Sequence, residues 1–83
     1  PCFYKGTFTV EIPADTYLDV SGWGMGEVWV NGHYAGSYWE QNAQQSIQLP
    51  AETLQKGANS LTVFELKSNG KRTMRLSDKA IFN

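Results

Sequence analysis

Between residues 4 and 12 the bulky apolar side chains Tyr4, Phe8, Val10 and Ile12 fall at even positions, and Lys5, Thr7, Thr9 and Glu11 at odd ones. A period of two marks a strand with one buried and one wet face, because successive side chains point to opposite sides of the pleat. Pro13 lacks a backbone donor and ends that run. Residues 16–20 alternate again, with Leu18 and Val20 on one side and Tyr17 and Asp19 on the other. Gly22, Gly24 and Gly26 then interleave with Trp23 and Met25, which predicts a loop of permissive backbone bearing two large side chains. Residues 27–30 read as a short strand. Asn31-Gly32 follows, a strong hairpin signal, since both residues tolerate the positive φ of a type I′ turn. Residues 33–39 return as its partner, with Gly36 as a bulge or point of close approach. Residues 41–45 form a polar loop, and residues 46–49 a strand closed by Pro50. One helical turn fits residues 51–54, between Pro50 and Gly57. Residues 60–66, rich in β-branched and aromatic side chains, are the most strand-like run. Ser68-Asn69-Gly70 is a further turn, and residues 72–76 a last strand. No helical period survives beyond one turn. Short strands divided by Gly, Pro and Asn turns predict an all-β, antiparallel sandwich or barrel.

Composition narrows the function classes. Eighty-three residues make one small domain, residues 1–83, that buries roughly 60–65% of its unfolded surface. A content of 41% hydrophobic and 18% charged residues is that of a globular chain and not a disordered one. Seven basic and eight acidic residues, with no run of one sign, argue against a nucleic-acid partner. No apolar stretch approaches the ~20 residues of a membrane helix, so no membrane partner is expected. Cys2 stands alone, which leaves no internal disulfide and no thiolate metal site. The chain starts Pro1-Cys2, and is expected to be a piece of a longer polypeptide.

The residues do not assemble into catalytic chemistry. Retaining glycoside hydrolysis needs two carboxyl groups about 5–5.5 Å apart. Asp15 and Asp19 share a strand face, but four residues along a strand separate their backbones by about 13 Å. Glu11, Glu27, Glu40, Glu52 and Glu65 are expected as solvated charges at exposed strand positions or in loops. His33 is the single histidine and directly follows the hairpin turn. No Gly-x-Ser-x-Gly elbow is present, no carboxylates, histidines or cysteines fall at metal-ligand spacing, and no glycine loop leads into a helix. Neither a catalytic residue, a metal nor a cofactor is expected. The aromatic chemistry is more informative. Trp23 and Trp39, with Tyr34 and Tyr38, offer flat faces for a sugar ring, and Asn31, His33, Asn42 and Gln44 offer hydrogen bonds to hydroxyls. Core filling or interdomain contact is the stronger reading for any one of these aromatics, and Trp29, between Val28 and Val30, is placed to cover a neighbouring domain.

A resemblance now emerges. Tyr4-Lys5-Gly6-Thr7-Phe8, Ala14-Asp15-Thr16-Tyr17-Leu18-Asp19, and Gly22-Trp23-Gly24-Met25-Gly26 running into Val28-Trp29-Val30-Asn31-Gly32-His33 resemble the C-terminal jelly-roll domain of family 35 glycoside hydrolases, the β-galactosidases. The similarity continues through Gly36-Ser37-Tyr38-Trp39, Gln44, Leu49-Pro50, Leu54, Lys56-Gly57, Asn59 and Val63-Phe64-Glu65. It departs where Met25 replaces a basic residue, Ser37 an Arg, and Asn42-Ala43 a Gly-Pro. The resemblance implies a galactose-binding-domain-like β-sandwich (a jelly roll) that lacks its opening strands. It also implies a catalytic (β/α)₈ barrel elsewhere in the parent chain, where two glutamates perform retaining hydrolysis of terminal β-D-galactosides. The expected function is a noncatalytic accessory domain that packs against this barrel, in a periplasmic or extracellular enzyme. The alternative is an autonomous carbohydrate-binding module of another glycosidase. Trp23, Asn31, His33, Tyr38, Trp39 and Gln44 are the candidate carbohydrate or interdomain contacts, with galactosides held weakly. A homodimer through an exposed sheet edge or apolar face is a further expectation for an incomplete sandwich.

Overall fold

The computed structural model describes residues 2–67 and 73–77. Within them the alternation seen in the sequence becomes seven strands: β1 (Cys2–Val10), β2 (Thr16–Asp19), β3 (Met25–Val30), β4 (His33–Trp39), β5 (Ser46–Leu49), β6 (Gly57–Lys67) and β7 (Arg75–Ser77). A single 3₁₀ turn, Ala51–Thr53, links β5 to β6. The strands form two antiparallel sheets, one ordered β1-β6-β3-β4 and the other β5-β2-β7. This is the all-β sandwich that the turns and the period of two predict.

The core lies between the sheets. Val28 and Val30 from β3 and Val63 from β6 face Leu18 from β2 and Ile47 and Leu49 from β5, with Val20, Trp23, Tyr38 and Leu54 completing the cluster. The first strand is shorter than its alternation suggests. It ends at Val10, and Ile12 is 82% exposed, because the pairing with β6 stops at Gly57 before the chain reaches Pro13. Two strands start earlier than expected. Gly26, read above as loop, lies in β3, and β6 begins at Gly57. The predicted turn at Ser68-Asn69-Gly70 and the start of the expected last strand at Arg72 lie outside the described residues.

The hairpin of β3 and β4 sets much of the geometry. Asn31 and Gly32 adopt φ values of 52° and 80°, as a type I′ turn requires. Val30 then pairs with His33 and Trp29 with Tyr34, but Val28 pairs with Gly36, so Ala35 is an extra residue and β4 is bulged there. The bulge reverses the side-chain parity of β4 between Tyr34 and Ser37. It is why Tyr34 stands on the outer face while Tyr38, four residues on, enters the core.

Candidate functional site

The sequence placed Glu65 among solvated charges. The structure overturns this. Glu65 shares the inner face of β6 with Asn59 and Val63 and retains only 2% of its accessible surface. Its Oε2 accepts the hydroxyl of Tyr38 at 2.7 Å, and its Oε1 accepts the backbone N–H groups of Gly24 and Met25 at 3.2 and 3.3 Å. A buried carboxylate persists only when donors replace its water, and these three supply that replacement. Burial raises the Tyr38 phenol above its ordinary range, and its hydrogen bond to the Glu65 carboxylate raises it further. The pair is a structural clasp between β4, β6 and the glycine loop.

The remaining described carboxylates that form hydrogen bonds are engaged locally and apart from Glu65. Asp19 Oδ1 accepts the Ser21 amide and hydroxyl, Asp15 Oδ1 accepts the Ala51 amide, Glu27 accepts the Tyr34 hydroxyl at 2.8 Å, and Glu40 pairs with Lys67 at 3.3 Å. The bond to Glu27 is the main cause that raises the Tyr34 phenol. Among the described residues no three acidic, histidine or cysteine side chains gather as a metal would need.

The six candidate contact residues do not converge. Trp23 and Tyr38 are core side chains, edge-on to each other with ring centroids 6.2 Å apart, and the Trp23 indole donates to the Thr73 carbonyl at 2.8 Å. Their faces and polar atoms are used inside the sandwich. Asn31 is likewise occupied: its amide donates to the Thr53 carbonyl and to Asn59, and its carbonyl accepts the Ser60 amide, each at 2.9 Å. His33 is exposed beside the turn, at the opposite end of β4 from Trp39, about 20 Å away along a seven-residue strand. Trp39 is 44% exposed and pairs with Met25 on the outer face of the four-stranded sheet. Gln44 is exposed, with its amide donating to the Ser46 carbonyl at 3.2 Å.

Sequence reasoning missed the buried polar residues that fix these loops. Asn59 accepts from Asn31 and from the Gln55 amide, and donates to the carbonyls of Gln55 and Gly57, so its whole amide is used. Gln45 holds the 41–45 loop by donating to the carbonyls of Trp39 and Asn42. Among the described residues every buried side-chain nitrogen and oxygen has a partner. The signal for Glu65 and Asn59 was available, since both share the parity of Val63 in β6.

Fold and geometry together define a β-sandwich module whose buried polar side chains serve structure, with its most exposed aromatic rings, Phe3, Tyr34 and Trp39, on the four-stranded sheet. Comparison with known proteins narrows this class. A family model described as "Beta-galactosidase, galactose-binding domain" matches residues 1–59. The human "Beta-galactosidase-1-like protein 2" is 38% identical over 66 residues, which cover 78% of this chain and 10% of that protein. The human "Beta-galactosidase" is 36% identical over 74 residues, covering 81% of this chain and 11% of its own length. "Beta-galactosidase 17" of Arabidopsis thaliana is 40% identical over 72 residues, covering 82% and 10%. The chain belongs to the family of β-galactosidase galactose-binding domains, and it spans about a tenth of the length of these relatives.

Proposed function

We propose that residues 1–83 are a noncatalytic accessory domain, or part of one, in a parent β-galactosidase that hydrolyses terminal β-D-galactosides with retention on a catalytic barrel elsewhere in its chain, and that the domain packs against that barrel. The observation that carries this reading is the fate of Glu65. The one buried acid among the described residues is closed off by Tyr38 and two backbone amides, so it is spent on the fold and not held in a cleft. The names of the relatives supply the parent activity, and their tenfold greater length supplies room for a catalytic domain. The same resemblance carries a periplasmic or extracellular location for the parent.

Two measurements test it together. The isolated segment should release no product from an aryl β-galactoside above buffer, while the intact parent turns the substrate over. In calorimetry of the parent the segment should melt with the catalytic domain in one transition, since an interdomain interface couples the two. Hydrolysis by the segment that is lost on Glu65→Gln or Glu27→Gln in a folded protein would defeat the accessory reading. Independent melting of the segment, with unaltered parent stability after its removal, would defeat the claim that it packs there.

A further inference from the structure

The two sheets differ in what they show to the outside. Outward positions of the three-stranded sheet carry Asp19, Gln48, Arg75 and Ser77 beside Tyr17, an ordinary wet face. The four-stranded sheet does not follow this pattern. Phe3 and Phe64 stand directly opposite each other on its outer face with ring centroids 4.5 Å apart, and Phe3 is 65% exposed. Trp29 and Tyr34 pair across β3 and β4, edge-on at 5.6 Å. Leu66 and Trp39 extend the patch towards the end of the sheet where β1 begins. Between Phe3 and Trp29 runs a shallow depression, bordered by Lys5 and Thr62. At the other end of the same face Thr7, Thr9 and Ser60 restore polarity. Glu27 and Ser37 lie on the same face between Tyr34 and Trp39, so the apolar side chains form a cluster interleaved with a few polar ones. An antiparallel sheet that carries large apolar side chains on its outer as well as its inner face is one that is covered on both, and such a cluster marks an interface.

We infer that the apolar half of this outer face, centred on Phe3, Phe64, Trp29 and Tyr34, is the surface by which the domain docks on the remainder of its own parent chain, against an apolar partner surface that carries a carboxylate opposite Lys5. The inference rests on the accessory reading above and adds the face. Length favours this occupant: the relatives match the chain over a tenth of their residues, so nine-tenths of such a protein is tethered to the domain. Tethering gives that partner a high effective concentration, which a second copy or a free ligand lacks. Charge sets the complement. Lys5 sits beside the patch, while the neighbouring Glu27 is held by Tyr34 and Glu40 by Lys67.

Hydroxyl-radical footprinting of the intact parent over a range of concentrations, read by mass spectrometry against the same chain denatured, decides it. Phe3, Tyr34 and Trp39 should be protected several-fold, whereas the exposed Arg75 on the other sheet is not. Protection of Arg75, with Phe3, Tyr34 and Trp39 reactive, would leave the accessory reading standing and overturn the assignment of the face. Full reactivity of all four would overturn both. Protection that disappears when the parent is diluted from dimer to monomer would assign the face to a second copy and overturn the inference.

Discussion

The contact between Tyr38 and Glu65 joins a buried phenol to a buried carboxylate. Tyr38→Phe keeps the ring against Trp23 but removes one of three donors from a carboxylate that water does not reach. Leaving a buried charge short of a hydrogen bond costs about 1–3 kcal/mol, and the urea midpoint should fall accordingly. The pH dependence follows from the raised phenol. In the unfolded chain a tyrosine loses its proton near its ordinary value of about 10, while in the folded state Tyr38 keeps it to higher pH. Above that point the unfolded chain binds fewer protons than the folded one, so stability must fall as pH rises. The contribution is complete below pH ~10 and is lost as pH climbs towards the raised folded value. Denaturant midpoints measured between pH 8 and 11 should decline for the unsubstituted chain and decline less steeply for Tyr38→Phe. An identical decline in both would show that the phenol does not titrate differently on folding. The burial of Glu65 was legible only in part. Its parity pointed inward, but the ordinary preference of carboxylates for water pointed outward, and nothing local to residue 65 reveals the Tyr38 hydroxyl, which is brought to it from 27 residues away across β3.

Strands were legible because each reports its own burial through a period of two, and the turn at Asn31-Gly32 because its chemistry is local. That turn gives a direct test at the level of the element. Gly32 sits at φ 80°, which a β-branched residue resists, so Gly32→Val should cost more than ~1 kcal/mol. A denaturant midpoint unaltered by this substitution would show the β3–β4 register is wrong. Register makes a second contrast. A Cβ at Gly26 would collide with the Phe64 carbonyl and with the Tyr38 hydroxyl, whereas at Gly6 nothing lies within 4 Å. Gly26→Ala should therefore destabilise by about 1–3 kcal/mol or more, because a backbone carbonyl cannot move aside as a side chain can. Gly6→Ala should stay within about 0.5 kcal/mol. Equal effects at the two positions would contradict the close approach of Gly26 to the Phe64 carbonyl of the neighbouring strand. The bulge at Ala35 was only half visible. Gly36 signalled an irregularity, but the extra residue is fixed by pairing with β3, and its result, Tyr34 outside and Tyr38 inside, depends on that count.

At the scale of the whole molecule, sugar binding depends on whether aromatic and polar groups meet in one place, and here they are dispersed. Of the four aromatics that offer faces for a sugar ring, Trp23 and Tyr38 are consumed by the core, while Tyr34 and Trp39 are open on the outer face of the sheet, Tyr34 edge-on to Trp29. The nearest polar company of Trp39 is Glu27, Ser37 and Asn42, which line a shallow, open depression with it, and the Glu27 carboxylate already accepts the Tyr34 hydroxyl. The other polar candidates lie elsewhere. His33 stands at the far end of β4, the Gln44 amide already donates to the Ser46 carbonyl, and Asn31 is fully engaged at the turn. Ser37 brings one hydroxyl, where an Arg would bring a fork of five donors. One stacked ring with two or three water-competed hydrogen bonds and no enclosing pocket should hold galactose or lactose with millimolar affinity at best, about −4 kcal/mol. Weak binding is also what a docking surface predicts, since a face covered by the parent chain has no ring to spare for a free sugar. Titration with galactose and lactose, followed by amide chemical shifts, measures the affinity and locates it. Small shifts confined to residues around Trp39, without saturation below millimolar sugar, are expected. Low-micromolar saturation, abolished by Trp39→Ala in a protein whose amide dispersion is unaltered, would replace the accessory reading with that of an autonomous carbohydrate-binding module.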